Sequence, residues 1–456
     1  MRSRIALGAV AGLAVIGLAL SGCSASGSGS GSGGAATTGK VDGKGKTLDV
    51  MIAANALYPT QQQQWFKDVS AQFEKETGAT VKFETFASAN DELTKIQTSV
   101  LSGQGPDIYD LGTTFTPTAY STGAFVKLTS ADWDKVGGRD KFVPATLGIS
   151  GPDQNNEVGI PFLSRPFVLA YNKDLLKAAG IDKPADTWDG LAEQAKKLTT
   201  GGVHGLAIAY ADGYDPWKFI WAMSLQQGNP LIDAKTKKAT LDDPAVKKAY
   251  QTYFGWLTDD KIVDPAAIGW KNPQAVAAFA SGKAAFLPMV SSSSQVSLDA
   301  SPMAGKYGYA VMPTIPPGAT KVSSSGTAAA TIISGDNIVV AKYSQNQDLA
   351  FALVKMLTGT ANQVKYTKTF GDLPTNKDAA AQIEQGNQLI APILQAGTKA
   401  YGTPFSGAWG DTQLALVNVV VQSIPALSSG SVSSSDLEAK LKTAQATAQA
   451  ALTKAK

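Results

Sequence analysis

The feature that most limits how this chain can fold is an alternation of strand-like and helix-like segments that begins at residue 47. Residues 47–53 (TLDVMIA) form an apolar run typical of a buried strand, and residues 61–76 place their large apolar side chains on one helical face. Residues 80–86 alternate apolar and polar side chains, which predicts a second strand, and residues 91–101 are again helical. A turn at residues 103–107 leads into a third strand. This succession predicts a parallel sheet with right-handed crossovers.

A second series of strands and helices follows residue 159. A short strand is predicted for residues 168–171, and Asn172 is expected to cap the helix after it. Thr187 precedes another amphipathic helix, and Asp243 stands before a proline at the start of a third. Further strands are predicted for residues 206–210, 284–289, 309–312 and 337–341.

The length and charge of the chain indicate a soluble globular protein of two lobes and argue against binding of nucleic acid. With 456 residues the chain exceeds the roughly 250–300 residues at which single cores stop growing, so we expect two lobes. Its 40 basic and 37 acidic residues become 38 and 37 once Arg2 and Arg4, which lie in a predicted leader, are removed. That near-neutral balance offers no field that would attract nucleic acid.

The scarcity of cysteine and histidine excludes several kinds of site. Cys23 and His204 are the only residues of their types, so the monomer cannot form a disulfide or a Cys/His zinc site. A Ser-His-Asp triad would have to use His204, which we interpret as a polar residue entering a strand. Carboxylate-only chemistry such as glycoside cleavage stays possible. We predict no metal and no cofactor.

The amino terminus carries a targeting signal. Arg2 and Arg4 precede an apolar run too short to span a membrane, which predicts a signal peptide over residues 1–22. The run ends in LSGC, which resembles the lipobox of bacterial lipoproteins and implies lipid attachment to Cys23; the alternative is a free cysteine. Residues 23–46 are rich in Gly, Ser, Ala and Thr, which predicts a flexible tether that holds the protein at the outer face of the cytoplasmic membrane.

The globular part also carries short motifs in a particular order. They are GPDI at 105–108, VGIPF at 158–162, YNKDLLKAAGI at 171–181, TWDGL at 187–191, FASGKAAF at 279–286, a strand and helix over 335–359, and LPT at 373–375. In order and spacing they resemble the extracellular solute-binding proteins (family 1) of bacterial carbohydrate ABC importers, the group that includes maltose-binding protein. The resemblance covers essentially all of residues 47–456.

The resemblance implies a fold of the periplasmic-binding-protein-like type II class. In that α/β fold, two α/β lobes are joined by a multi-strand hinge, and the ligand cleft lies between them. The strands that cross between the lobes are expected near residues 159–166, 307–313 and 373–375. Lobe 1 would then comprise residues 47–158 with 312–372, and lobe 2 would comprise residues 159–311 with 373–456.

The function implied by the resemblance is transport rather than catalysis. The chain is expected to capture a sugar or small oligosaccharide as a monomer, and to deliver it to the membrane subunits of an ABC permease. The same fold could instead serve a polyamine, a peptide or an organic acid. A lipid-anchored carbohydrate hydrolase is the alternative from a different class.

Two tryptophans and one arginine are the leading candidates for ligand contact. A sugar presents C–H faces and a rim of hydroxyls, so its site needs flat aromatic surfaces beside hydrogen-bonding groups. Trp217 and Trp409 match positions where members of the family carry stacking aromatics; either could instead pack inside a lobe. Arg165 lies at the first expected crossing, where it could grip hydroxyls or a carboxylate, or form an interlobe salt bridge.

Polar residues are expected where strands end at the cleft. The candidates are Asn55, Tyr58, Asp110, Thr113, Thr114 and Asp336. Asp110 could instead cap the turn after the third strand. After FASGKAAF the family usually shows an aromatic residue at the strand end, but this chain continues with PMVSSSS, in which Ser292 is the candidate contact. The missing stacking platform weakens the case for a long oligosaccharide and leaves room for a more polar ligand.

Overall fold

The computed structural model describes residues 41–385, 387 and 389–455. The predicted signal peptide, Cys23 and most of the predicted tether lie outside these residues. The strands are β1 (Thr47–Ala53), β2 (Thr80–Phe86), β3 (Ile108–Gly112), β4 (Gly159–Ser164), β5 (Val168–Asn172), β6 (His204–Leu206), β7 (Ile232–Asp233), β8 (Lys238–Ala239), β9 (Ala284–Val290), β10 (Tyr307–Ala310), β11 (Thr331–Ile332), β12 (Gly335–Val340), β13 (Leu373–Pro374) and β14 (Ala400–Tyr401). The helices are α1 (Pro59–Thr77), α2 (Ala89–Ser102), α3 (Thr116–Thr122), α4 (Ser130–Lys135), α5 (Lys173–Ala178), α6 (Trp188–Leu198), α7 (Pro216–Gln226), α8 (Pro244–Thr258), α9 (Asn272–Ala280), α10 (Gln295–Asp299), α11 (Gln347–Leu357), α12 (Thr360–Phe370), α13 (Lys377–Glu384), α14 (Ile390–Thr398), α15 (Trp409–Ser428) and α16 (Ser434–Lys454).

The first lobe is built on a six-stranded sheet in the order β13-β4-β12-β3-β1-β2. Strand β1 pairs in parallel with both β2 and β3, so the predicted parallel opening is confirmed. Strand β12 lies antiparallel between β3 and β4, and all of its residues are buried. The sheet therefore gathers chain segments that are far apart in sequence.

The second lobe is built on a four-stranded sheet in the order β10-β5-β9-β6. Strand β9 is buried along its whole length. A large apolar cluster joins this sheet to α6, α7, α8, α15 and α16, and it includes the fully buried side chains of Trp188, Trp221 and Trp256. His204 begins the edge strand β6, as predicted. The predicted α/β fold with two lobes is confirmed.

The helices that follow strands in the second lobe begin at the predicted capping residues. The side chain of Asn172 accepts hydrogen bonds from two N–H groups in the first turn of α5. Thr187 does the same for α6, and Asp243 for α8, whose first residue is a proline. In the first lobe, α1 ends at Gly78, whose φ of 81° is easily adopted only without a Cβ. Local capping chemistry thus fixes where these helices start and stop.

The positions of the strands move the predicted lobe boundaries. Strands β4 and β13 both pair in the first sheet, so the chain leaves that sheet after Ser164; after β13, the side chain of Asn376 still donates to the carbonyl of Thr358 in the first lobe. The second crossing also lies later than predicted, because Met312, Ala330 and Ile332 pack in the core of the second lobe. Relative to the boundaries predicted at residues 159, 312 and 373, β4, β13 and residues 312–332 therefore lie with the other sheet, because a strand pairs where its backbone hydrogen bonds are satisfied.

The first lobe begins before Thr47, inside the segment that was predicted to be a tether. Val41 packs against the core of this lobe, and the N–H of Gly43 donates to the carbonyl of Thr77 at 2.8 Å. A Cβ on Gly43 would lie 2.6 Å from the Cβ of Ala79, so this approach requires glycine. In the part of the chain that the structure describes, no helix combines the length and apolar character needed to cross a membrane.

Candidate functional site

A cavity of about 740 Å³ lies between the two lobes. The first lobe contributes the segments that follow β1 and β3, and the carboxyl ends of parallel strands are where ligands bind in open α/β sheets. The second lobe contributes residues 211–218, residues 271–274 and the end of β9. The wall therefore combines backbone and side chains from both lobes, as a site that closes on its ligand requires.

The structure brings most of the predicted site residues to this cavity. Those that line it are Asn55, Asp110, Thr113, Thr114, Arg165, Trp217 and Asp336. Four of them are already engaged: Arg165 and Asp336 bond to each other, Asn55 Oδ1 accepts from the N–H groups of the turn before α1, and Thr113 Oγ1 donates to the carbonyl of Ile333 at 3.1 Å. The predicted residues that do not line the cavity are Tyr58, Ser292 and Trp409.

The two candidate tryptophans have different positions. Trp217 lies in the first turn of α7 and lines the cavity. Trp409 is fully buried behind it, with ring centroids 5.9 Å apart and planes at 73°. The lobe-packing alternative therefore describes Trp409, whose ring supports the ring of Trp217. The sequence could not show which of the two rings lies at the cavity wall, because that depends on how α15 packs against α7.

Tyr58 connects the lobes instead of facing the cavity. Its hydroxyl donates to the carbonyl oxygen of Ser293 and accepts from the N–H and Oγ of Ser297 at 3.2 and 3.0 Å. Ser292 is buried next to this contact, whereas its neighbours Ser291 and Ser293 line the cavity. A second interlobe contact is apolar: Leu93 and Phe115 of the first lobe pack against Tyr214 of the second.

Arg165 is the centre of an ion-pair cluster at the hinge. Its Nε and Nη2 donate to the two carboxylate oxygens of Asp372 at 2.8 and 3.2 Å, and its Nη1 donates to Asp336 Oδ1 at 2.7 Å. All three residues adjoin strands of the first sheet, so the predicted interlobe salt bridge is in fact a bridge among crossing segments. A bidentate pair of this kind fixes geometry as well as charge.

Two buried carboxyl groups form the acidic part of the wall. Asp110 and Glu92 both line the cavity and are 5% and 2% exposed. Burial, followed by the nearby charge of Asp336, raises the pKa of each carboxyl well above its ordinary value. Asp110 Oδ1 has no hydrogen-bond partner among residues 41–385, 387 and 389–455, so this oxygen does not cap the following turn. Glu92 was not predicted from the sequence as a site residue. Its position beside the buried Leu93 on the amphipathic helix α2 is the signal that could have indicated it.

The wall of the second lobe is a bonded polar network that the sequence did not reveal. Asp212 accepts from the backbone N–H groups of Tyr214, Asp215 and Asn272 at 2.7 to 2.9 Å. Asp215 binds the Lys218 ammonium group and the Asn272 side chain. Burial, followed by the charge of Asp215, raises the pKa of Asp212. This network holds the loop that presents Trp217 and Tyr214 to the cavity.

The described residues offer binding groups of several kinds. Trp217 and Phe167 supply apolar rings, and the Lys218 ammonium group lies 4.1 Å from the centroid of the Phe167 ring. Carboxyl, hydroxyl and amide groups supply hydrogen bonds around them. No group of three metal-ligating side chains is found in residues 41–385, 387 and 389–455. The arrangement is suited to holding a small polar molecule between two lobes.

Sequence comparisons identify relatives with known roles. Residues 58–364 match the family model described as bacterial extracellular solute-binding protein. The diacetylchitobiose binding protein DasA of Streptomyces coelicolor is 25% identical over 374 residues, which cover 80% of this chain and 81% of that protein. A putative binding protein of Brucella abortus is 26% identical over 331 residues, covering 71% of this chain and 76% of the relative.

Solved structures share the fold. An ABC transporter solute-binding protein of Thermotoga lettingae bound with α-D-tagatose superimposes with a TM-score of 0.73 at 19% identity, covering 89% of this chain and 100% of that one. A maltose-bound protein of T. maritima, MalE3, gives a TM-score of 0.71 at 21% identity, with 87% and 99% covered. These likenesses establish the architecture of two lobes around a cleft.

Proposed function

Because the chain belongs to the family of bacterial extracellular solute-binding proteins, we propose that it captures a sugar or small oligosaccharide and delivers it to the membrane subunits of an ABC importer. The observation that carries this proposal is the cavity of about 740 Å³ between the lobes, lined by Trp217 and by polar groups from both sides. Its volume falls within the roughly 300–1,000 Å³ of small-molecule sites. The ligand leaves chemically unchanged.

The proposal that the ligand is a sugar rests on relatives and on the wall of the cavity. DasA is named for diacetylchitobiose, and the compared structures hold tagatose and maltose. Trp217 contributes an aromatic ring to the wall, with 3% of the residue exposed, and the surrounding carboxyl and amide groups can accept hydrogen bonds from hydroxyls. Ser291 and Ser293 stand where a second aromatic platform was expected, which favours a short ligand.

Closure of the lobes supplies the signal to the transporter. A ligand that touches the first lobe near Asp110 and the second lobe near Trp217 makes its full set of contacts only when the lobes close. Such a ligand shifts the population towards the closed form by its difference in affinity for the two forms. The closed form is the one that docks on the permease.

We further propose that the mature chain is a lipoprotein anchored through Cys23. The support is the sequence itself: a basic start, an apolar run and LSGC at residues 20–23. Two or more acyl chains give stable membrane attachment, whereas one chain gives only marginal attachment. The Cys23→Ser variant should move from the membrane fraction to the soluble fraction, and should lose incorporation of labelled fatty acid. Labelling that persists in the variant would contradict the anchor.

A ligand panel tests the receptor function. Tagatose, maltose and diacetylchitobiose, with polyamines, peptides and organic acids as the alternative class, are screened for a rise in melting temperature, and positives are measured by calorimetry. We expect at least one sugar to bind reversibly and to be recovered intact. Release of smaller products from an oligosaccharide would instead identify a hydrolase. Binding confined to the non-sugar compounds would overturn the sugar assignment but keep the receptor.

A further inference from the structure

Three hydrogen-bond acceptors on the cavity wall lack donors. They are Glu92 Oε1 and Asp110 Oδ1 on the first lobe and Gln413 Oε1 on the second, and all are unpaired within the described residues. The three side chains are no more than 5% exposed, so water is largely excluded from them. Buried acceptors are almost always satisfied in folded proteins, and an unmade bond at a cavity wall points to a donor on the ligand.

Two of the three basic side chains of the cavity wall, Arg165 and Lys218, are already paired with other carboxylates, and the third is Lys271. Arg165 donates to Asp336 and Asp372, and Lys218 donates to Asp215. The wall carries six carboxyl groups against three basic side chains. Acidic charge near Glu92 and Asp110 therefore exceeds the basic charge that faces it.

Resting on the receptor function proposed above, we propose that the ligand carries a primary ammonium group, which Glu92 and Asp110 bind from the first lobe and Gln413 from the second. An ammonium group has three donors and one positive charge, which match three unpaired acceptors and an excess of carboxylates. A hydroxyl supplies one donor and no charge. It would leave two of the three acceptors without a donor when the lobes close, and an unmade hydrogen bond is costly in a dry site.

The protonation of the two carboxyl groups supports this assignment. The raised pKa of Asp110 reflects burial and the charges of Asp336, Glu92 and Asp372, opposed by Arg165. The pKa of Glu92 is raised by burial and Asp336, and a hydrogen bond from the N–H of Gly112 lowers it in part. An arriving ammonium group favours the ionised carboxyls, so it displaces protons. Binding should therefore tighten as pH rises through the raised pKa values.

Calorimetry on the full Cys23→Ser chain tests the proposal with matched probes. Glucosamine and its dimer chitobiose carry the ammonium group, glucose and N-acetylglucosamine do not, and putrescine carries it without a sugar. Between pH 5 and 7 we expect at least one amine to bind about tenfold or more tightly than its neutral counterpart. Its affinity should rise by up to about tenfold per pH unit, the limit for one proton released.

The Glu92→Gln variant keeps the size of the side chain and removes its charge. It should lose most of the amine preference and flatten the pH dependence, while Glu84→Gln, on a side chain that is 60% exposed, should change neither. Circular dichroism and a thermal melt check that both variants fold. Persistence of the amine preference in Glu92→Gln would overturn the assignment of this residue.

The panel separates failure of this inference from failure of the receptor function. Neutral sugars that bind as tightly as the amines would overturn the ammonium site and leave the sugar receptor standing. Putrescine binding without any sugar binding would support the ammonium site and overturn the sugar assignment. An absence of binding by every probe would contradict both proposals.

Discussion

At the scale of single residues, the cavity is unusual for the number of carboxyl groups that it holds away from water. Glu92, Asp110, Asp212 and Asp372 are all buried, and burial is the largest cause of the raised pKa of each. Asp212 and Asp372 have hydrogen-bond donors that offset the loss of hydration. Glu92 and Asp110 each keep one oxygen without a donor in the described chain, so they carry the greater cost.

The stability of the free protein should therefore fall as the solution becomes more alkaline. The folded chain holds the Glu92 proton more tightly than the unfolded chain, so this contribution is present near pH 4 and lost as pH rises through the raised pKa. We expect Glu92→Gln to reduce the fall in unfolding free energy as pH rises above the ordinary range of a glutamate, because the variant has no proton to lose. Urea unfolding at each pH measures this; identical slopes in variant and wild type would contradict it.

The two tryptophans should separate binding from folding. Trp217→Phe keeps an aromatic ring at the cavity but shortens it, so ligand affinity should fall by about 1 kcal/mol or more. Trp409→Phe leaves a void in a fully buried site, so unfolding free energy should fall by about 1–3 kcal/mol while affinity stays within about twofold. Calorimetry and urea unfolding give the two readouts. If Trp409→Phe lost more ligand affinity than Trp217→Phe, the roles assigned to the two rings would be reversed.

Sequence reasoning found the neighbourhood of the site better than its contacts. Asp110, Thr113 and Thr114 could be predicted because Asp110 lies in β3, the other two directly follow it, and the carboxyl end of this strand faces the cleft. Tyr58 follows a strand as well, yet its hydroxyl turns towards Ser293, which lies far away in sequence. The contact depends on where the second lobe sits, and no local pattern contains that information.

At the scale of elements, strand β12 determines how the first lobe is assembled. It supplies Asp336 to the cavity wall and pairs with β3 on one side and β4 on the other. Its existence was predicted from an apolar run, but its place in the middle of the sheet was not, because local sequence does not encode strand order. The same limit explains why the pairing of β4 and β13 in the first sheet was not predicted.

The start of β12 requires a glycine. Gly335 has a φ of 150°, and a Cβ built on it would lie 2.0 Å from the carbonyl oxygen of Leu163 in β4. We expect Gly335→Ala to lower unfolding free energy by roughly 3 kcal/mol or more, because backbone atoms must shift to remove the clash. The matched control is Gly112→Ala in neighbouring β3, where a Cβ meets no atom within 4 Å. Equal thermal stability of the two variants would contradict this account.

At the scale of the whole molecule, several contacts besides the hinge join the lobes, among them Thr118 Oγ1, which donates to the carbonyl of Gly407 and accepts from the N–H of Gly410. The Tyr58 hydroxyl and the small cluster around Phe115 join the lobes on either side of the cavity. Such contacts are weak enough to break and re-form as the cleft opens. The expectation of two lobes came from chain length, and the resemblance implied the hinge; their relative orientation required the structure.

Opening should be measurable in solution. Tyr58→Phe removes the hydroxyl that bonds to Ser293 and Ser297, so the ligand-free variant should show a larger radius of gyration than wild type in X-ray scattering. Saturating ligand should return both proteins to the same smaller value, since the ligand then bridges the lobes. Tyr401→Phe, on a side chain that is 42% exposed, is the control. A radius of gyration that changes neither in the variant nor on addition of ligand would argue against closure.

The place of β12 in the first sheet also affects biogenesis. Its hydrogen-bonding neighbours are β3 and β4, but its own residues, Gly335–Val340, are among the later ones to leave the ribosome. The nascent chain consequently cannot complete its central ladder while the amino-terminal third is emerging, and contacts between such distant segments form slowly. The order of synthesis thus keeps the first lobe incomplete until β12 has been made, and a leader of the kind predicted at residues 1–22 would act within that interval.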